Sequence, residues 1–346
     1  MILFFCVFAL IACFIIFWKE EAADAFSIRM AEPDLLSVQR IDTTYKSNGL
    51  SCGASLYLPT AVEKPPVVVM AHGFGGQRWM RLPAYARRFA REGVAVFVFD
   101  YRCFNDSEGA PQNYVNPRMH LEDWKAAIAH VRTLDMVDSG RIALWGTSFS
   151  GGHVIKTAAE DGNITAVISQ VPFTDGFTTS LSYLATPMFA LKAMVHGTMD
   201  LLLRLFSQKR HYVRIAGTPD EAFGMMCKED TVSGLINLIG TDAGVSVEEM
   251  LPHYKCPADI VFTLSLYRPI QYAEKVKCPA LVIGAEEDNL FPPDGPLKMS
   301  RKMKHATYVS LPIGHFDPYV GEPFEEVIVH MIDFLKTHLE DSHSQA

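Results

Sequence analysis

Apolar and polar positions fall into two regimes along the chain. From Val38 to Tyr45 and from Leu50 to Leu58 they interleave, with Asn48-Gly49 between the two stretches. This predicts two strands joined by a tight turn, because Asn-Gly accepts the positive φ that such a turn demands. Further on the strands become solidly apolar: PVVVMAHG from Pro66, VAVFVFD from Val94, IALWG from Ile142 and AVISQVP from Ala166. Helical stretches separate them. PAYARRFAREG has proline near its start and Gly93 at its end, and GGHVIKTAAE follows IALWG closely. In PRMHLEDWKAAIAHVRTL, Leu121, Trp124, Ala127, Ile128 and Val131 recur at spacings of three and four. Strands apolar on both faces, alternating with helices, predict an α/β fold with a mostly parallel sheet covered on both sides.

The alternation stops between Pro172 and Pro279. TPMFALKAMVHGTMDLLLRLF is amphipathic to apolar, and Met188, Met194, Met199, Met225, Met226 and Met250 crowd the region. A stretch this long is no simple crossover. It is read as a helical cap inserted at about 173–275 in a domain running from 38 to 346, with the methionines as candidate lining of an apolar pocket. ALVIGAEED then restores a strand, PPDGPLKMSRKM a helix, TYVSLP a strand, and PFEEVIVHMIDFLKTHL a closing helix.

Composition narrows the function. A net charge of -8 over 346 residues argues against a nucleic-acid partner. Seven cysteines without a CxxC pair give neither a zinc framework nor a disulfide set. Residues 1–25 stand apart: Ile2 to Trp18 is unbroken apolar sequence, followed by Lys19-Glu20-Glu21. That run is at the lower limit for a membrane span. It is read as an N-terminal anchor, with two alternatives: a signal cleaved near Ala23-Asp24-Ala25, or a helix docked on the domain. The sequons at Asn105 and Asn163 bear on sidedness. A glycan on Asn105 would obstruct the site described next, which favours a membrane-associated domain facing the cytosol over a secreted one.

The stretch ALWGTSFSGGHV carries the first chemical signal. An apolar strand ends in Gly146, Ser148 follows two residues later, and a helix begins at once. A nucleophile elbow needs that order, although Ser150 occupies the position of the usual second glycine. Asp288 lies just past one strand end and His315 just past the next, so the chain order is Ser148, Asp288, His315. Asp175, Glu286, Glu287 and Asp317 are alternative acids. In AHGFGGQRW the glycines free the backbone N–H of Phe74, which with that of Phe149 makes a candidate oxyanion hole. Cys103 is read as a core residue rather than a thiol nucleophile, and His72 and His153 as scaffold.

These motifs resemble the α/β-hydrolase family. FDYRCFNDSEG is similar to a segment common in that family, with Cys103 and Asn105 in place of glycines. With DWKAAIAHVR, QVPFTDG, LYRP and GHFDPYVGEPFE, the similarity extends over nearly all of residues 38 to 339. It resembles the branch of fungal polyketide transferases and thiohydrolases. That resemblance implies Asp288, spaced before Pro292, as the acid. It also implies a serine-dependent hydrolase or acyltransferase working through an acyl-enzyme on an apolar, polyketide-like ester or thioester, free or carrier-bound. No metal or organic cofactor is implied. A general carboxylesterase or dienelactone-type hydrolase is the alternative within the class, and a membrane-tethered binding protein on the same scaffold the alternative outside it.

Overall fold

The computed structural model describes residues 15–16, 18–19, 37–184, 186–218, 223–239, 250–251 and 253–339. The first two strands, β1 (Val38–Ser47) and β2 (Leu50–Pro59), form the expected hairpin. Asn48 and Gly49 turn it with φ of 46° and 84°. Strands β3 (Pro66–Ala71), β4 (Ala95–Phe99), β5 (Asp138–Thr147) and β6 (Ala166–Gln170) follow. Helices α1 (Leu82–Arg91), α2 (Pro117–Val131) and α3 (Phe149–Glu160) alternate with them. Beyond the inserted region come β10 (Ala280–Ala285), α8 (Gly295–Ser300), β11 (Ala306–Leu311) and α9 (Gly321–Leu339). The strand order is β1-β2-β4-β3-β5-β6-β10-β11, parallel from β4 onward.

Alternation along buried strands loads both faces. Val67, Val69 and Ala71 point to the side where α2 and α3 pack Trp124, Ile128 and Ile155. Val68 and Met70 point to the other side, against Tyr85 and Phe89 of α1 and Met331 of α9. The chain leaves β3 in one direction for β4 and then crosses to β5 on the other side. The carboxyl ends of β3 and β5 therefore flank a topological switch point, the crevice where open α/β sheets place their ligands.

The region between β6 and β10 departs from an all-helical cap. It carries helices α4 (Gly176–Leu184), α5 (Pro187–Ser207), α6 (Thr231–Ile239) and α7 (Ile260–Leu264). It also forms a small sheet of β7 (Tyr212–Ala216), β8 (Gly224–Met226) and β9 (Lys255–Pro257), in the order β8-β7-β9. Strands of three to five residues are too short to print a period on the sequence.

Of the apolar run at the N-terminus, only Ile15, Ile16 and Trp18 lie within the described residues. The indole of Trp18 meets His211 edge-on at 5.2 Å, and its carbonyl accepts from Lys209 Nζ at 2.9 Å. Among the described residues no helix is long and apolar enough to cross a membrane. Asn105 is buried and donates its amide to Asp100 Oδ2 at 3.0 Å, so the fold leaves no room for a glycan there. Asn163 is exposed.

Candidate active site

Strand β5 delivers Ser148 at its carboxyl end, where the backbone turns sharply into α3. Ser148 has φ 55° and ψ -121°, a conformation that a side chain rarely adopts unless its surroundings impose it. Ser148 N–H donates to the Gln170 carbonyl at 2.9 Å. Its own carbonyl accepts from Gly151 and Phe173. The turn closes only because Gly146 has no side chain: a Cβ there would overlap the carbonyl of Ser150. Gly73 after β3 faces the same point, and a Cβ on it would stand 2.8 Å from that of Ser148.

Ser150 does more than fill the place of a glycine. Its side chain is wholly buried, and Oγ lies 3.0 Å from the hydroxyl of Tyr101. That hydroxyl also accepts from the indole of Trp124 at 3.1 Å. The elbow is thereby tied to the segment after β4 and to α2. Gly151 and Gly152 are close-packing positions: a Cβ would press on Pro172 at the first and on the Phe173 carbonyl at the second.

His315 follows β11 and Asp288 follows β10. Nε2 of His315 lies 3.0 Å from Ser148 Oγ, and Nδ1 lies 2.7 Å from Asp288 Oδ2. The other carboxylate oxygen accepts the backbone N–H groups of Leu290 and Phe291, both at 2.9 Å. Phe291 and Phe316 stand edge-on to the imidazole at 5.0 and 5.2 Å, fixing its plane. All three side chains are buried. With Nδ1 donating to the carboxylate, Nε2 is left with a lone pair aimed at the hydroxyl, and such an arrangement can take the serine proton.

Three of the four alternative acids are engaged elsewhere. Asp175 is gripped by Arg268 at 2.9 and 2.8 Å, Glu286 accepts from Ser310, and Asp317 accepts the Gly314 N–H at 2.7 Å. Phe149 is the first residue of α3, where an N–H has no intrahelical acceptor. Phe74 lies beside it, ring to ring at 5.6 Å, so the two backbone segments converge next to Ser148. Cys103 is buried, and burial, then the charge of Asp123, pushes its thiol up to about 11. It is a packed residue. Behind the Gly73 turn, Asp100 is held below the usual carboxylate range. Burial alone would raise it, but Arg78, His72 and Asn105 outweigh that. Two buried histidines behind the elbow, His120 and His153, also pack here, and sequence reasoning missed His120.

A narrow pocket of about 30 Å³ opens over Ser148, with Met80, Met226, Leu235, Leu238 and Phe316 among its walls. Of the methionines offered as candidate lining, Met226 reaches it, but Met188, Met194 and Met199 do not. Met188 and Met194 are 62% and 54% exposed, and Met199 is half-buried. The reason is the face that α5 buries: Gly197, Asp200 and Leu203 at spacings of three turn inward, leaving Met188 and Met194 on the far side.

Known proteins match this chain over most of its length. The quorum-quenching protein AidA of Acinetobacter baumannii is 40% identical over 296 residues, 86% of this chain and 94% of that protein. The polyketide transferase grgF of a Penicillium species is 25% identical over 289 residues, 82% of this chain and 92% of that one. The crystal structure of the α/β hydrolase GrgF from Penicillium superposes with a TM-score of 0.71 at 21% identity, covering 87% of this chain and 99% of that chain. The family described as X-Pro dipeptidyl-peptidase (S15 family) matches residues 48–317. The chain belongs to that family, and with it to the hydrolases and acyltransferases built on the α/β-hydrolase fold.

Proposed function

We propose that the protein is a serine-dependent acyl hydrolase or acyltransferase whose nucleophile is Ser148, with His315 as general base and Asp288 as its orienting acid. The observation that carries this reading is the unbroken relay from Asp288 Oδ2 through the imidazole to Ser148 Oγ, at 2.7 and 3.0 Å. Attack of Oγ on the carbonyl carbon of an ester or thioester passes the serine proton to Nε2. The carbonyl oxygen gains charge and is met by the N–H groups of Phe74 and Phe149. Collapse expels the alcohol or thiol, which takes its proton from His315 and leaves an acyl group on Ser148. Water or an alcohol then attacks, gives its proton to His315, and releases the acid or a new ester.

An apolar acyl group suits the walls of the pocket. Among its described lining residues there is no carboxylate to meet a peptide amino terminus, which favours an ester or thioester over an X-Pro peptide. Relatives named a polyketide transferase and a quorum-quenching protein suit the same reading. Mass spectrometry after incubation with an activated acyl ester tests it. The adduct is expected on the peptide holding Ser148 and absent from Ser148→Ala. An adduct on Cys103 instead would overturn the assignment.

A further inference from the structure

A second concavity in the cap region takes no part in the chemistry at Ser148. It holds about 340 Å³, against about 30 Å³ at the elbow. Tyr183, Phe189, Ala193, Phe223, Met225 and Val261 are among its walls. No described residue lines both spaces. Strand β8 is the partition. Successive side chains of a strand point to opposite sides, and here Met225 faces the larger cavity while Met226 faces Ser148.

The volume lies within the span of small-molecule sites, about 300–1,000 Å³. Its described walls hold no charged side chain, and their polar groups are the hydroxyls of Ser180, Ser265 and Tyr183. Small side chains on α5, Ala190 and Ala193, make the space. Phe177, Leu181 and Met194, also among the walls, are 48%, 49% and 54% exposed. Large apolar groups left half in water beside an uncharged cavity leave apolar surface for an apolar ligand to cover. A cation is close by: Lys228 Nζ stands 5.0 Å over the ring of Tyr183.

We propose that this cavity binds a single aliphatic chain, the tail of a long-chain fatty acid, at a site separate from the pocket over Ser148. The uncharged walls take the methylenes, and Lys228 offers its charge to the carboxylate. The test is a fluorescence titration with cis-parinaric acid of the full-length protein, Ser148→Ala, Ala193→Leu and Met194→Asp. Wild type and Ser148→Ala should bind alike. Saturated fatty acids should displace the probe, each added methylene tightening Kd about fourfold until the cavity is full. Ala193→Leu fills the cavity and should weaken binding about tenfold. Met194→Asp, at a half-exposed position that the fold tolerates, should weaken it as well. A fluorophosphonate should label Ser148 at an unchanged rate when the fatty acid is saturating. Binding that neither substitution weakens, or fatty acid that blocks labelling, would overturn the proposal. Failure of the labelling itself would count against Ser148 as nucleophile, and the fluorescence titration would still decide the cavity.

Discussion

Mild acid should weaken this fold before most carboxylates titrate, and two histidines behind the elbow set the size of the effect. His120 and His153 are buried, with Nδ1 of the first 3.3 Å from Nε2 of the second. His153 Nδ1 lies 2.6 Å from the hydroxyl of Tyr267, and His120 stacks on Tyr101 at 3.9 Å. Burial, then nearby histidines, holds His120 well below its ordinary range, and burial brings His153 down to about 3. In the unfolded chain both rings bind protons near pH 6.5. As pH falls from there, the unfolded state holds more protons than the native state, so stability is full above that value and declines below it. Between about pH 7.5 and pH 5 His153 should remove about 2 kcal/mol, and His120 should add to the loss in the same direction. Urea unfolding followed by tryptophan fluorescence at both pH values measures this. His153→Gln should start less stable at neutral pH, having lost the contact with Tyr267, yet should lose about 2 kcal/mol less than wild type on acidification. Equal losses in wild type and variant would refute the reasoning.

Other outcomes follow from the same neighbourhood. Ser150→Ala removes one of three partners from the buried phenol of Tyr101 and should cost about 1–2 kcal/mol, read as a lower Tm, with fluorophosphonate labelling of Ser148 retained. Asp288→Asn should lower kcat by about four decades, the scale seen when a serine-protease triad loses its aspartate. Asp175→Asn should keep most of kcat in the same assay while lowering Tm, because Arg268 loses half of a two-bonded partner. The reverse ranking of the two would move the acid to the end of β6.

The sheet was legible because its strands are long enough and buried enough to carry a pattern, and the turns announce themselves: Asn48-Gly49 and Gly93 stand where the backbone needs positive φ. Ser148, Asp288 and His315 were legible because strand ends fix where such groups can stand. The cap was less so. Its three strands are short, and a helix rich in methionine looks the same whether a given methionine turns inward or out. Met188 and Met194 are exposed, while Met226, beside Met225 in sequence, and Met80, beside Trp79, reach the pocket. Nor could spacing reveal the hydrogen bond of Ser150 or the pairing of His120 with His153. The first depends on how the segment after β4 meets α3, the second on how α2 and α3 lie against each other.

Ser148 and His315 are 167 residues apart in sequence, yet their side chains meet at 3.0 Å. The contact exists only when β5, β6, β10 and β11 are paired in that order, which makes it a strongly non-local consequence of folding. Local helices and the β1–β2 hairpin can form early without bringing any reactive group near another. A half-folded chain therefore carries its serine beside no base, and the hydroxyl stays as unreactive as any other. On the proposed reading reactivity is conferred by topology, and the same pairing that completes the sheet would also switch Ser148 on.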